Sequence, residues 1–158
     1  MRWVLQFFIL FLSVPLAYAQ QGELDGAPVY GVHGPHHLSV LMANTHSSGE
    51  GNNPTIGLDY EYRVNALLGV GAVLERAYGT LDATTMLAVA DIHCRNGLIM
   101  QVGPGFERNS HDTIFVARLG ILYEFEMGRY TLSPQLHWDY HEGEANTIVA
   151  GVALGFSF

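Results

Sequence analysis

The chain has 158 residues, one cysteine, and fifteen acidic against seven basic residues, for a formal charge of −8. That length suits one domain, and the lone Cys94 excludes an intrachain disulfide. An acidic chain whose basic residues are all arginine lacks the cationic surface that nucleic acid requires, so no nucleic-acid partner is expected.

The first stretch differs from the rest. Arg2 precedes an apolar run from Trp3 to Leu12, and Ala17-Tyr18-Ala19 supplies small residues at the two positions a signal peptidase reads. Residues 1–19 are therefore predicted to be a cleaved secretory signal peptide. Its removal leaves six arginines against fifteen carboxylates. Residues 20–35, rich in Gly, Pro and charge, read as a periplasmic leader without a core of its own. Nothing beyond the signal is long and apolar enough for a membrane helix, so any membrane-spanning form of residues 36–158 must be a barrel.

From Leu38 onward the sequence alternates between apolar and polar residues in segments of about ten. Leu38, Val40 and Met42 mark the outward face of the first. In the second, Ile56, Leu58, Tyr60, Tyr62 and Val64 oppose Thr55, Gly57, Asp59, Glu61 and Arg63. Leu68, Val70, Ala72 and Leu74 face outward in the third, and Met86, Ala88, Ala90 and Ile92 in the fourth. The fifth sets Leu98, Met100, Val102, Pro104 and Phe106 against Ile99, Gln101, Gly103, Gly105 and Glu107. The sixth sets Phe115, Ala117, Leu119, Ile121, Tyr123 and Phe125 against Val116, Arg118, Gly120, Leu122 and Glu124.

The last two segments are the clearest. Tyr130, Leu132, Pro134, Leu136, Trp138 and Tyr140 share one face, with aromatics at both ends, as lipid-interface girdles require. Ile148, Ala150, Val152, Leu154, Phe156 and Phe158 do the same against small residues. Tight turns are expected at Asn65-Ala66, Arg95-Asn96-Gly97 and Glu126 to Arg129. They alternate with polar loops at Ser47 to Asn53, Gly79 to Ala83, Arg108 to Asp112 and Glu142 to Ala145. The pattern predicts an all-β fold, an eight-stranded antiparallel up-and-down transmembrane β-barrel.

The closing Gly-Val-Ala-Leu-Gly-Phe-Ser-Phe resembles the C-terminal signature of bacterial outer-membrane barrels. The layout is similar to their small OmpA-transmembrane or OmpX-like class. The resemblance implies an outer-membrane location in a Gram-negative cell and reading of Phe156 and Phe158 by the barrel-assembly machinery.

An eight-stranded barrel encloses a space that side chains just fill. The pattern points Asp59, Glu61, Arg63, Glu75, Asp91, Gln101, Glu107, Arg118 and Glu124 into it, where buried charges must pair. An internal network of those groups is the primary expectation, and a narrow cation path gated by an arginine is the alternative. His137, Asp139 and His141 alternate on one face and form a candidate metal-ligand set, completed by Glu107 and His111 from the neighbouring loop. His33, His36 and His37 form a second histidine cluster. Tyr60, Tyr62, Trp138 and Tyr140 are read as membrane-interface anchors.

The function expected is structural or surface-interacting, with no catalysis and no cofactor. Its partners would be outer-membrane lipid and lipopolysaccharide, with divalent cations at Glu50, Asp82, Asp112, Glu142 and Glu144. Outer-membrane enzymes that modify lipid A supply a further alternative: His37 and Ser39 share a face, though on the periplasmic side, and His137 with Asp139 lies toward the outer side, with Ser133 lower in the lumen.

Overall fold

A computed structural model describes residues 34–158. The predicted signal peptide and nearly all of the predicted leader lie outside the described residues, as does His33. The strands are β1 (His36–Ser47), β2 (Gly51–Arg63), β3 (Leu68–Ala77), β4 (Ala83–His93), β5 (Leu98–Arg108), β6 (Thr113–Tyr123), β7 (Phe125–Met127), β8 (Tyr130–His141) and β9 (Thr147–Ser157). β6 and β7 form one stave broken at Glu124, because both pair with β8. Neighbours in sequence pair antiparallel, and β1 pairs with β9 from His37↔Ser157 to Ser47↔Thr147. The result is a closed up-and-down barrel of eight staves.

Period-two alternation explains this shape. Along β8, Thr131, Ser133, Gln135, His137, Asp139 and His141 are buried. Tyr130, Pro134, Leu136, Trp138 and Tyr140, from the alternate positions, are exposed. β1 alternates likewise, with Ser39, Leu41, Thr45 and Ser47 inside and Leu38, Val40 and Met42 outside. Such a fold turns the usual protein inside out: its apolar residues form an outer band and its polar ones face a narrow interior.

Aromatic residues collect at both edges of the band. Tyr60, Tyr62, Tyr123, Phe125 and Tyr130 lie toward the chain termini, while Tyr78, Phe106, Trp138 and Tyr140 lie toward the opposite, loop end. Tyr123 and Phe125 pack with ring centroids 4.8 Å apart, and Trp138 and Tyr140 with centroids 6.4 Å apart. The terminal residue is anchored by the backbone: Phe158 N–H donates to His36 O at 2.9 Å and His36 N–H donates to Phe158 O at 3.2 Å. His36 also stacks on the Phe158 ring at 5.4 Å, and Phe156 packs on Tyr130 at 5.6 Å.

Two features differ from the sequence expectations. The predicted turn from Glu126 to Arg129 shrinks to Gly128-Arg129, because Phe125–Met127 continues the sheet against Tyr130 to Leu132. The Gly128 φ of 69° supplies the left-handed step this tight reversal needs. The second histidine cluster does not form among the described residues. His36 points outward onto Tyr60 and Phe158, whereas His37 points inward, as adjacent strand positions must. As the inward facing of Ile99, Val116 and Leu122 in the sequence predicts, the interior also holds apolar side chains: Val73, Leu87, Val89 and Val116 form one cluster, and Leu41, Val149 and Ala153 another.

Inward glycines make room for large polar groups on the adjacent strand. A Cβ on Gly120 would lie 2.8 Å from His137 Nδ1, and one on Gly57 2.9 Å from Glu75 Cγ. Gly120→Val should therefore displace the His137 imidazole and cost about 2 kcal/mol by overpacking. The outward change Leu119→Val should cost under about 1 kcal/mol. Urea unfolding midpoints of the two variants in detergent check this contrast.

Candidate functional site

The chemistry-bearing residues collect inside the barrel, in tiers set by strand register. All nine residues predicted to point inward do so, as do four histidines. They divide into local groups rather than one continuous network.

The innermost charge is Arg118 on β6, whose guanidinium is fully buried. Nε and Nη2 donate to Asp139 Oδ1 and Oδ2 at 2.8 and 2.7 Å. Nη1 and Nη2 donate to Glu75 Oε1 and Oε2 at 2.6 and 2.8 Å. Asp139 is the direct register partner of Arg118 on β8, but Glu75 reaches it from β3 across the lumen. One planar fork thus binds two carboxylates bidentately and bridges the barrel.

Toward the loops, His141 Nε2 and Thr85 Oγ1 lie 3.3 and 2.9 Å from Glu107 Oε2. Beyond them is a hydroxyl layer in which Thr45 and Thr55 Oγ1 atoms are 2.7 Å apart. Asn53, fully buried, closes this end by accepting from Thr80 Oγ1 and from the Leu81 N–H at 3.1 and 3.0 Å.

Toward the termini, Gln101 Nε2 donates to both Asp59 Oδ2 and Asp91 Oδ1, at 3.1 and 3.0 Å. Below it, His93 Nε2 meets Glu61 Oε1 at 2.5 Å and Arg63 Nη2 meets Glu124 Oε1 at 3.0 Å. His37 Nε2 lies 2.9 Å from Thr131 Oγ1 and 4.0 Å from Glu124. A mouth of about 250 Å³ opens here, lined by His36, His37, Arg63, Glu124 and Thr131 among others. The cavities deeper in the barrel are about 20 and 10 Å³, room for about one water each.

The candidate metal set does not converge. Both oxygens of Asp139 are held by Arg118, His137 Nε2 lies 2.9 Å from Gln135 Oε1, and His141 is spent on Glu107. His111 is exposed on its loop beside Ser110. No group of three or more His, Cys, Asp or Glu side chains placed to hold a metal ion occurs among the described residues. The reason is spacing: alternate residues on a strand are roughly 6.6 Å apart, so one ion needs ligands from adjacent strands. There β6 offers Arg118 and Gly120, while β9 offers Thr147, Val149 and Gly151.

The serine–histidine alternatives fare no better in geometry. His37 reaches Thr131 rather than Ser39, and His137 reaches Gln135 rather than Ser133. His93 as the partner of Glu61, and Asp139 as that of Arg118, were not anticipated. Continuing the β4 alternation past Asp91 places His93 inside, but no sequence rule names its partner on β2. Glu50, Asp82, Asp112, Glu142 and Glu144 are all exposed on the loops, with Asp82 paired to Arg76.

Arg118→Met should leave Glu75 and Asp139 buried without a countercharge and cost roughly 3–5 kcal/mol. Combining it with Glu75→Gln and Asp139→Asn should recover most of that loss. Equilibrium unfolding of the single and triple variants measures both.

No family model and no curated protein matches this chain. Solved structures do. The N-terminal β-barrel domain of Pseudomonas aeruginosa OprF is similar with a TM-score of 0.60 at 14% identity, covering 80% of this chain and 99% of that one. Ail, the attachment invasion locus protein of Yersinia pestis, gives 0.55 at 12% identity over 80% and 99%. A de novo designed transmembrane β-barrel gives 0.52 at 14% over 77% and 96%. At such identities the likeness speaks for fold and not for activity. Closed antiparallel staves, an apolar outer band and these structural neighbours together make the fold that of a small eight-stranded transmembrane β-barrel.

Proposed function

We propose that the chain resides in the outer membrane of a Gram-negative cell as a non-enzymatic barrel with a structural or surface-interaction role. The observation that carries this reading is the blocked interior. Arg118, clamped to Glu75 and Asp139, spans the lumen beside a packed cluster of Val73, Leu87, Val89 and Val116. The surface left for function is the loop rim. With both termini on the periplasmic side, Glu50, Asp82, Asp112, Glu142 and Glu144 face outward from the cell. Carboxylates there would meet the anionic head groups of lipopolysaccharide through divalent cations, which take oxygen ligands from both. Ail is named for attachment and invasion, and its shared fold agrees with a surface role without assigning one. Phe156 and Phe158, ordered against Tyr130 and His36, would serve the assembly machinery before the barrel closes.

A narrow channel is the second reading. It is favoured by the two rival carboxylates on Arg118, which would let the guanidinium release one partner and open a path. A lipid A-modifying enzyme is the third.

Expression in a Gram-negative host separates them. Outer-membrane fractions should contain a band whose mobility shifts on boiling, and a soluble product without a shift would overturn the location. In planar bilayers the purified protein should give no discrete conductance steps; steps altered by Arg118→Ala would establish the channel. Lipid A mass should be unchanged by expression; a change abolished by His137→Ala would establish the enzyme. Chelation with EDTA should release lipopolysaccharide from the purified barrel, and Glu142→Gln with Glu144→Gln should halve, to order of magnitude, the amount retained.

A further inference from the structure

The waist of the lumen holds two carboxyl groups that have no cationic partner among the described residues. Asp59 on β2 and Asp91 on β4 share a single neutral donor, the Gln101 amide. Among the described residues neither makes an ion pair. Arg118 is committed to Glu75 and Asp139, and Arg63 to Glu124 and Glu61. Gln101 is fully buried, yet its Oε1 accepts no hydrogen bond, and neither does the buried Oδ1 of Asp59. All three side chains line one cavity of about 20 Å³, whose wall also includes the Ser39 and Ser133 hydroxyls and the Glu61 carboxylate.

The electrostatics of this tier are one-sided. Two carboxylates face each other across one amide in a space too small for bulk water. Every unsatisfied atom there is an oxygen acceptor, so a further acceptor would not help. What fits is a species that brings positive charge and takes oxygen ligands only. Histidine and thiolate ligands, which soft metals prefer, are absent from the Asp59–Gln101–Asp91 set. The cavity adjoins the terminal mouth, sharing His37 and Glu124 in its walls. Carboxylates on that side attract cations toward it.

We propose that Asp59, Asp91 and the Gln101 carbonyl form a luminal site for one hard, oxygen-seeking cation of the calcium or sodium class. The ion sits in the waist cavity and joins β2, β4 and β5 from inside. Magnesium, smaller and reluctant to shed its water, is a poor occupant of a cavity with so little room for water. This site is separate from the acidic loop rim, which lies at the other end of the barrel.

The test uses the refolded mature chain in a non-ionic detergent, stripped with EDTA and unfolded by heat in urea at pH 7 and constant ionic strength. Choline chloride is the reference salt, and calcium, sodium and magnesium chlorides are titrated against it. Calcium or sodium should raise the midpoint saturably, by about 8 °C at roughly a hundredfold excess over its dissociation constant. Whichever of the two acts at the lower concentration identifies the ion. Asp59→Asn and Asp91→Asn should each lose the response. The double variant should melt no lower than wild type in choline, because it removes two buried carboxyl groups that have no cationic partner. Glu142→Gln with Glu144→Gln should keep the response, separating the waist from the rim. Equal midpoints in all four salts would overturn the proposal and assign the acceptor oxygens to a bound water or a shared proton. A response that survives in the Asp59→Asn and Asp91→Asn variants would overturn it equally.

Discussion

The pairing of β1 with β9 is the constraint on which everything else rests. Lipid offers no hydrogen bonds, so a sheet that crosses it cannot keep a free edge. The register from His37↔Ser157 to Ser47↔Thr147 removes the last edge, and Phe158 extends it through its two backbone bonds to His36. Closure with eight staves then fixes the diameter, and the diameter fixes the problem of the interior. A space that narrow must be filled by the side chains that alternation sends inward. In this chain those are mostly polar.

The interior solves the problem unevenly. Near the loops, charge and hydrogen bonding balance: Arg118 satisfies two carboxylates with four bonds, and Glu107 receives both Thr85 and His141. The Arg118 tier is also flanked by valine and leucine, which exclude water and strengthen the ion pairs beside them. Near the termini the side chains are wetter and more acidic. Glu61, Glu124, Asp59 and Asp91 outnumber Arg63 and the two histidines His37 and His93 that meet them. A tight plug on one side and an acidic vestibule on the other give the barrel a polarity along its axis. That polarity is the observation from which we propose recognition at the loops and a cation at the waist.

Glycine has a part in this arrangement that composition alone does not reveal. At two places a large polar group fits the lumen because the adjacent strand gives up its side chain. Gly120 yields to His137 and Gly57 to Glu75. Pairing bulk with absence at these two registers helps keep a charged interior within an eight-stave circumference.

What the sequence determined was the barrel and the facing of its residues. Period-two alternation from Leu38 to Phe158, aromatics at the ends of the Tyr130 to Tyr140 face and short turns alternating with polar loops are local signals. Facing is a local property of a strand. Hence the inward placement of Asp59, Glu75, Arg118 and their companions was legible, as was the outward placement of Tyr60, Tyr62, Trp138 and Tyr140. What only the tertiary structure decided was partnership. Arg118 meets Asp139 through the β6–β8 register and Glu75 through the lumen, and neither relation is written in sequence spacing. The same limit explains the histidines: His137, Asp139 and His141 share a face, but the strand rise holds them apart, and the ligands that could have joined them would have had to come from strands that carry arginine and glycine instead. Contacts across a closed barrel depend on which strands closure makes neighbours, and that is set by the whole sheet at once.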